Sequence, residues 1–277
     1  MKSTMLVLLL SVLLAACSTG PAPPAKGTPA FGWLAAQDNM KTGDYVKTLD
    51  HLELVAKTDN EYSAKARPWQ LVLLAGTAEG YMEVADYYEY GARANKANPA
   101  PFRKHVSDLR SLASRRALQF AESFERYEKG FAASEQIPVF FGTLRGSALQ
   151  PPALTKVGSG VLLADAEFDA LQRAALDRGI LLAAGRALGT GEDAAKTREL
   201  LKGENAQVPR ATFLIGMAET LVKLADLFSP MKLDLPDRRQ YFLTHALEAV
   251  EGLPDSKELK EFRKKTEAEL KKIKTKK

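Results

Sequence analysis

FGWLAAQDNMKTGDYVKTLDHLELVA, residues 31–56, is the stretch whose reading decides the fold. Its apolar spacing predicts a helix over about Phe31 to Lys41. Pro29 just ahead pre-sets the first turn, because its fixed φ suits that position and its missing N–H is not needed there. Gly43 breaks the pattern, and Asp44 opens a second helix. Tyr45, Leu49, Leu52, Val55 and Ala56 then fall on one side at i, i+3/i+4 spacing. The unit is a helix–turn–helix.

The same punctuation continues outward from this pair. A long helical segment is expected from Ser63 or Ala64, with Pro68 in its first turn and Leu71, Leu74, Ala75, Ala78 and Met82 on its apolar face. Gly76 and Gly80 make a small-xxx-small spacing that admits a close neighbouring helix, though each glycine costs about 1 kcal/mol relative to alanine. A break near Gly80 is expected, with the second piece ending around Asn95. Asn98-Pro99-Ala100-Pro101 stops the pattern, and a strong helix follows over about Phe102 to Tyr127. Further helices are expected near 163–188, 192–202, 208–228, 237–251 and 256–274. No stretch alternates with period two for long, so the chain reads as all-α with almost no sheet.

Residues 129–161 interrupt this regularity. They hold Gly130, Pro138, Gly142, Gly146, Pro151, Pro152, Gly158 and Gly160 around the apolar run Ile137 to Phe141, and read as a long non-helical connection between halves 31–128 and 162–277. Such a length is uncommon in a compact domain and is often functional. Val139, Phe140 and Phe141 are expected to pack across the helical body. The sharper reading has Phe140 and Phe141 lining a ligand groove.

Residues 36–56 resemble a tetratricopeptide repeat, the paired-helix unit of about 34 residues that stacks into solenoids. Ala36, Gly43, Asp44, Tyr45, Leu49, Leu52 and Ala56 fall near that family's small-residue, turn and aromatic positions. Thr48 departs from it, and no second clean copy follows at the repeat distance. The resemblance implies an irregular alpha-alpha array with a concave recognition face.

The N-terminus carries a different signature. Lys2 precedes the apolar run Met5 to Leu14, which leads into Leu14-Ala15-Ala16-Cys17 with the chain's single cysteine. This resembles the lipobox of bacterial lipoproteins. The resemblance implies a signal peptide over residues 1–16, cleavage before Cys17, and diacylglycerol and palmitate-type acylation of Cys17. Several acyl chains anchor stably, since each buried methylene contributes roughly 0.8 kcal/mol. Ser18 resembles the pattern of lipoproteins sorted to the outer membrane, facing the periplasm. The Pro-rich linker completing residues 17–30 would lift a helical domain, 31–277, off the lipid surface.

The net charge of +5 is unevenly distributed. Residues 256–277 hold nine Lys and one Arg against four Glu, whereas residues 17–255 hold 28 basic and 30 acidic side chains. The body has no basic stripe with interleaved aromatics, so nucleic acid is not an expected partner. The basic C-terminal helix reads as a solvated last helix, or as one that faces a lipid surface, lipopolysaccharide or an acidic partner.

No catalytic constellation is legible. His51, His105 and His245 lack a second ligand at metal spacing, and no cofactor or metal is expected. Lipidation would consume the only thiol. Val157-Gly158-Ser159-Gly160 lacks a nucleophile elbow, and Gly189-Thr190-Gly191-Glu192-Asp193 reads as a helix stop followed by a new start. Asp165, Glu167 and Asp169 read as carboxylates complementing a helix N-terminus. Tyr81, Tyr87, Tyr88 and Tyr90 stand out, because tyrosine joins apolar area to a polar handle and suits interfaces and ligand grooves, as well as the core and inter-helix seams of helical solenoids.

The expectation is therefore a non-enzymatic, lipid-anchored envelope module that holds a protein partner. Tyr81, Tyr87, Tyr88, Phe140 and Phe141 are its candidate binding surface. The alternative is a solute-binding accessory of a transporter, with a small molecule enclosed by 129–161. A cell-envelope enzyme comes third.

Overall fold

The computed structural model describes residues 24–130, 134–145, 151–202 and 206–274. The lipobox, Cys17 and linker residues 18–23 lie outside the described residues. The protein is all-α: ten α-helices and one 3-10 turn, with a single two-stranded antiparallel sheet, make up its regular structure among the described residues.

Helices α1 (Pro29–Thr42) and α2 (Tyr45–Ala56) form the hairpin read from residues 31–56. Thr28 caps α1 by accepting the Phe31 N–H at 3.2 Å. Gly43 closes it at φ 80°, a left-handed conformation that costs a glycine little. Asp44 then caps α2 by accepting the Lys47 N–H at 3.1 Å. The buried Tyr45 hydroxyl donates to Asp177 on a distant helix, so the hairpin is pinned to the body by more than apolar contact.

Helix α3 (Ser63–Ala94) is the axis of the molecule, touching α2, α4 (Ala100–Gly130), α5 (Pro151–Gly158), α6 (Asp165–Ala187) and α8 (Arg210–Ala225). It does not break at Gly80, and Pro68 lies inside it rather than in its first turn. The glycines serve a different end. A Cβ added at Gly76 would stand 2.3 Å from the Ile180 Cα, and one at Gly179 would stand 2.2 Å from the Gly76 carbonyl oxygen. Backbone meets backbone there, so α3 and α6 approach more closely than any side chain would allow. Beyond α6 the chain continues through α7 (Ala194–Leu200), α8, the 3-10 turn Asp226–Phe228, α9 (Pro236–Glu248) and α10 (Lys257–Lys274).

The 129–161 segment is shorter as a connection than its glycines and prolines suggest. Helix α4 runs on through Gly130, and Pro151–Gly158 is itself helical. Pro151 and Pro152 stand at the start of α5, where a missing N–H costs nothing, so a pair read as a loop signal begins a helix. Between them β1 (Gln136–Pro138) pairs with β2 (Gln207–Pro209) in the register Ile137 to Val208. The Val139 N–H extends the ladder to the Ala206 carbonyl at 2.9 Å.

A continuous apolar core links residues from Trp33 to Ile273. At one end Trp33, Trp69 and Phe140 form a triangle of rings with centroids 5.1 to 5.5 Å apart. The two pairs made by Trp69 are edge-on, a packing that contributes about 1 kcal/mol per pair beyond area burial. No described helix is long and apolar enough to cross a membrane.

Candidate functional site

Most of the residues singled out from the sequence turn inward. Tyr88 is 0% exposed and packs against Phe102, His105 and Phe168. Phe141 is 1% exposed, and Tyr81 is buried as well. These three are core side chains and cannot form an accessible surface. Tyr81 and Tyr88 share a helix side, and that side faces the interior. Phe140 is half-buried against Trp33 and Trp69, so the run Val139 to Phe141 ties the segment to the body.

Tyr87 is the exception. It is half-buried on the wall of a cleft of about 490 Å³ between α3, α6 and α8. Tyr90 stands beside it, 59% exposed, with the Arg93 guanidinium 5.9 Å from its ring centre. Met82 and Leu182 supply apolar wall, and Gly179 forms part of the lining. The close backbone approach that places Gly179 against Gly76 thus also shapes the cleft.

The rest of the lining is charged. Glu79, Glu83, Asp86, Glu192 and Asp226 contribute five carboxylates against the three cations Arg178, Lys223 and Lys232. Glu79, Glu83 and Asp86 come from one face of α3, with Glu89 a turn further on. Their 79, 83, 86, 89 spacing is the helical period written in acid, a signal present in the sequence that a search for aromatic and metal-binding residues passes over.

These acids are held in order by ion pairs from four other elements. Glu79 is 6% exposed; one oxygen pairs with Arg186 and the other lies 3.1 Å from the Lys223 Nζ. The Arg186 Nε–H donates to the Thr220 hydroxyl at 2.9 Å, which fixes the guanidinium. Arg178 meets Glu83 at 2.7 Å, and Lys232 meets Asp86 at 2.8 Å and Asp226 at 3.1 Å. Arg110 of α4 reaches Glu89 at 3.3 Å. Burial pushes the Glu83 carboxyl above the usual range, with the Arg178 charge pulling the other way. Burial opposes the charge on Lys232, but its bonds to Asp86 and Asp226 prevail and hold its pKa above the lysine value. Ion pairs therefore hold the floor, and with the bonded Arg186 counted the five carboxylates exceed their cations by one.

The other motifs are structural. The Gly189-Thr190-Gly191 turn delivers Asp193, which caps α7 by accepting the Lys196 N–H at 2.9 Å, while Glu192 reaches the cleft. Glu167 accepts the Ala164 N–H at 3.3 Å and pairs with Lys156, as expected at a helix start. His105 lies in an aromatic cluster whose burial lowers its pKa, and His245 Nε2 is 2.8 Å from Glu128. Among the described residues no group of three His, Cys, Asp or Glu side chains is placed to hold a metal ion. An acidic cleft with a tyrosine edge suits recognition of positive charge. No family model, curated protein or solved structure matches this chain.

Proposed function

We propose that this protein is a lipid-anchored, non-enzymatic module of the bacterial envelope, tethered through Cys17 to the outer membrane and facing the periplasm. Its helical body, an irregular array opened by one tetratricopeptide-like pair, presents the acidic cleft to a partner protein. The occupant is a basic segment of that partner, a lysine or arginine flanked by apolar residues. One observation carries this reading: five carboxylates against three lining cations and the buried Arg186, in a cleft edged by Tyr87 and the exposed Tyr90. Aromatic edges beside surplus negative charge favour guanidinium and ammonium groups, by cation–π attraction and by charge pairing together.

Two experiments test it. A photo-crosslinking amino acid placed at Tyr90 in cells should yield one dominant adduct, which Glu83→Lys should abolish; a diffuse set of adducts, or one indifferent to Glu83→Lys, contradicts the reading. Labelling with radioactive palmitate should mark the wild-type chain and not Cys17→Ala. Label retained on Cys17→Ala contradicts the anchor while leaving the cleft to stand on the crosslink.

A further inference from the structure

A second cleft, of about 530 Å³, opens between α2, α3 and α4 on the N-terminal half of the same long helix. Its sign is reversed. Lys57, Arg67, Arg126 and Lys129 line it against the single carboxylate Glu53, with Ala56, Leu71 and Tyr127 as apolar wall. A cavity of several hundred Å³ with apolar walls and a few converging polar groups is the common form of a small-molecule site.

The inner part is built rather than incidental. Arg67 is 9% exposed, and its guanidinium is fixed by donating to the Ala56 carbonyl at 3.1 Å and to Asp59 at 2.7 Å. Tyr127 is buried beside it. Burial raises the Tyr127 pKa, so its hydroxyl keeps its proton and remains a donor, while the charges of Arg210 and Arg67 act on it from close by. The Arg67 guanidinium and the protonated Tyr127 phenol thus line the inner wall. Arg126 and Lys129 stand at the solvent edge on the last turns of α4, where Lys129 pairs with Glu125 at 2.6 Å and Arg126 donates to Ser123 at 3.1 Å. Asp59 and Glu125 are themselves substantially solvated, so they are weak competitors for these cations.

We infer that this cleft binds a small soluble oxyanion carrying more than one negative charge. Planar guanidiniums match the oxygens of phosphate or carboxylate groups in pairs, and a buried donor adds specificity that loose surface lysines do not supply. The inference is independent of what fills the acidic cleft.

The test is calorimetric titration of the full-length detergent-solubilised chain with inorganic pyrophosphate and, separately, with citrate, at constant ionic strength. Saturable one-to-one binding is expected with at least one. The double variant Arg126→Ala/Lys129→Ala should weaken it roughly tenfold or more, as loss of two charge-assisted contacts requires. Both side chains are exposed, so the variant keeps its core, which an unchanged melting temperature without ligand confirms. Tighter pyrophosphate than citrate assigns a phosphate ligand, and the reverse assigns a polycarboxylate. No saturable heat with either anion, or equal affinity in the double variant, overturns the inference. Glu83→Gln serves as the control and should leave anion binding unchanged.

Discussion

The two clefts flank the same helix and share a similar size, yet their linings carry opposite charge. Along α3, Arg67 sits near the N-terminal end, and Glu79, Glu83, Asp86 and Glu89 occupy the C-terminal half. At 1.5 Å rise per residue, Arg67 and Glu83 are about 24 Å apart along the axis, beyond the screening length of roughly 8 Å at physiological salt. Each cleft therefore acts on its ligand alone. The acidic cleft is clamped by pairs reaching across α3, α4, α6 and α8, whereas the basic one keeps exposed cations at its edge. Apolar packing sets where α3 lies, and the polar residues left on its flanks set what each side attracts.

The comparison is broken most severely at Glu79. Glu79→Ala leaves Arg186 buried without its carboxylate partner, at a cost of about 3–5 kcal/mol by urea unfolding. The acidic cleft should lose its shape, and the basic cleft should bind anions normally wherever the fold persists. Gly179→Ala attacks the scaffold beneath both. Its Cβ would press on the Gly76 carbonyl, forcing α3 from α6 at about 1–3 kcal/mol, and thermal melting should register the loss. Tyr45→Phe removes the donor that Asp177 accepts inside the body. About 1–3 kcal/mol is expected, with neither cleft changing its ligand sign.

A smaller effect sharpens the acidic side through pH. Because burial holds the Glu83 pKa above its ordinary value of 4.5, the folded chain takes up this proton before the unfolded chain does. Charge on Glu83 thus disfavours folding at high pH, and that penalty fades as pH falls through the raised pKa. Affinity moves the other way. As pH falls, binding of a basic peptide should begin to weaken while the pH is still above 4.5, by about two- to fivefold through this one group, and Glu83→Gln should flatten that part of the profile.

The sequence carried the helix pattern because helices announce themselves locally. Pro29, Gly43 and Asp44 are read correctly from residues 29–56 alone, since a cap or stop involves neighbours within a turn. The small-xxx-small pair at Gly76 and Gly80 is also legible. Its partner Gly179 is not, because it lies across a helix interface. That missing contact explains why a break at Gly80 is expected and a continuous helix found: the glycines meet Gly179, Ile180, Ala175 and Leu176, far along the chain. Pro151 and Pro152 show a related ambiguity, since two prolines mark a loop or a helix start equally well.

The site was less legible than the fold. Tyrosine is amphipathic, and nothing local tells Tyr88, locked against Phe102 and His105, from Tyr87 on the cleft wall. Tyr90 lies three positions after Tyr87 on the helix, and the buried Tyr88 is its immediate neighbour. The acidic face of α3 was written plainly as 79, 83, 86, 89. A run of spaced carboxylates ordinarily reads as a solvated surface, however, and only packing against Arg178, Arg186 and Lys223 makes it a wall. The basic cleft draws Lys57, Arg67 and Arg126 from three helices, so no window of sequence contains it.

Opposite ligand sign at the two clefts is tested most directly by a crossed titration. The wild type, Glu83→Gln/Asp86→Asn and Arg126→Ala/Lys129→Ala are each titrated with a lysine- and tyrosine-containing peptide and with pyrophosphate. The first double variant should lose peptide affinity and keep pyrophosphate, and the second should do the reverse. Equal loss of both ligands in either variant, or no loss in the matched one, would contradict two independent sites of opposite charge.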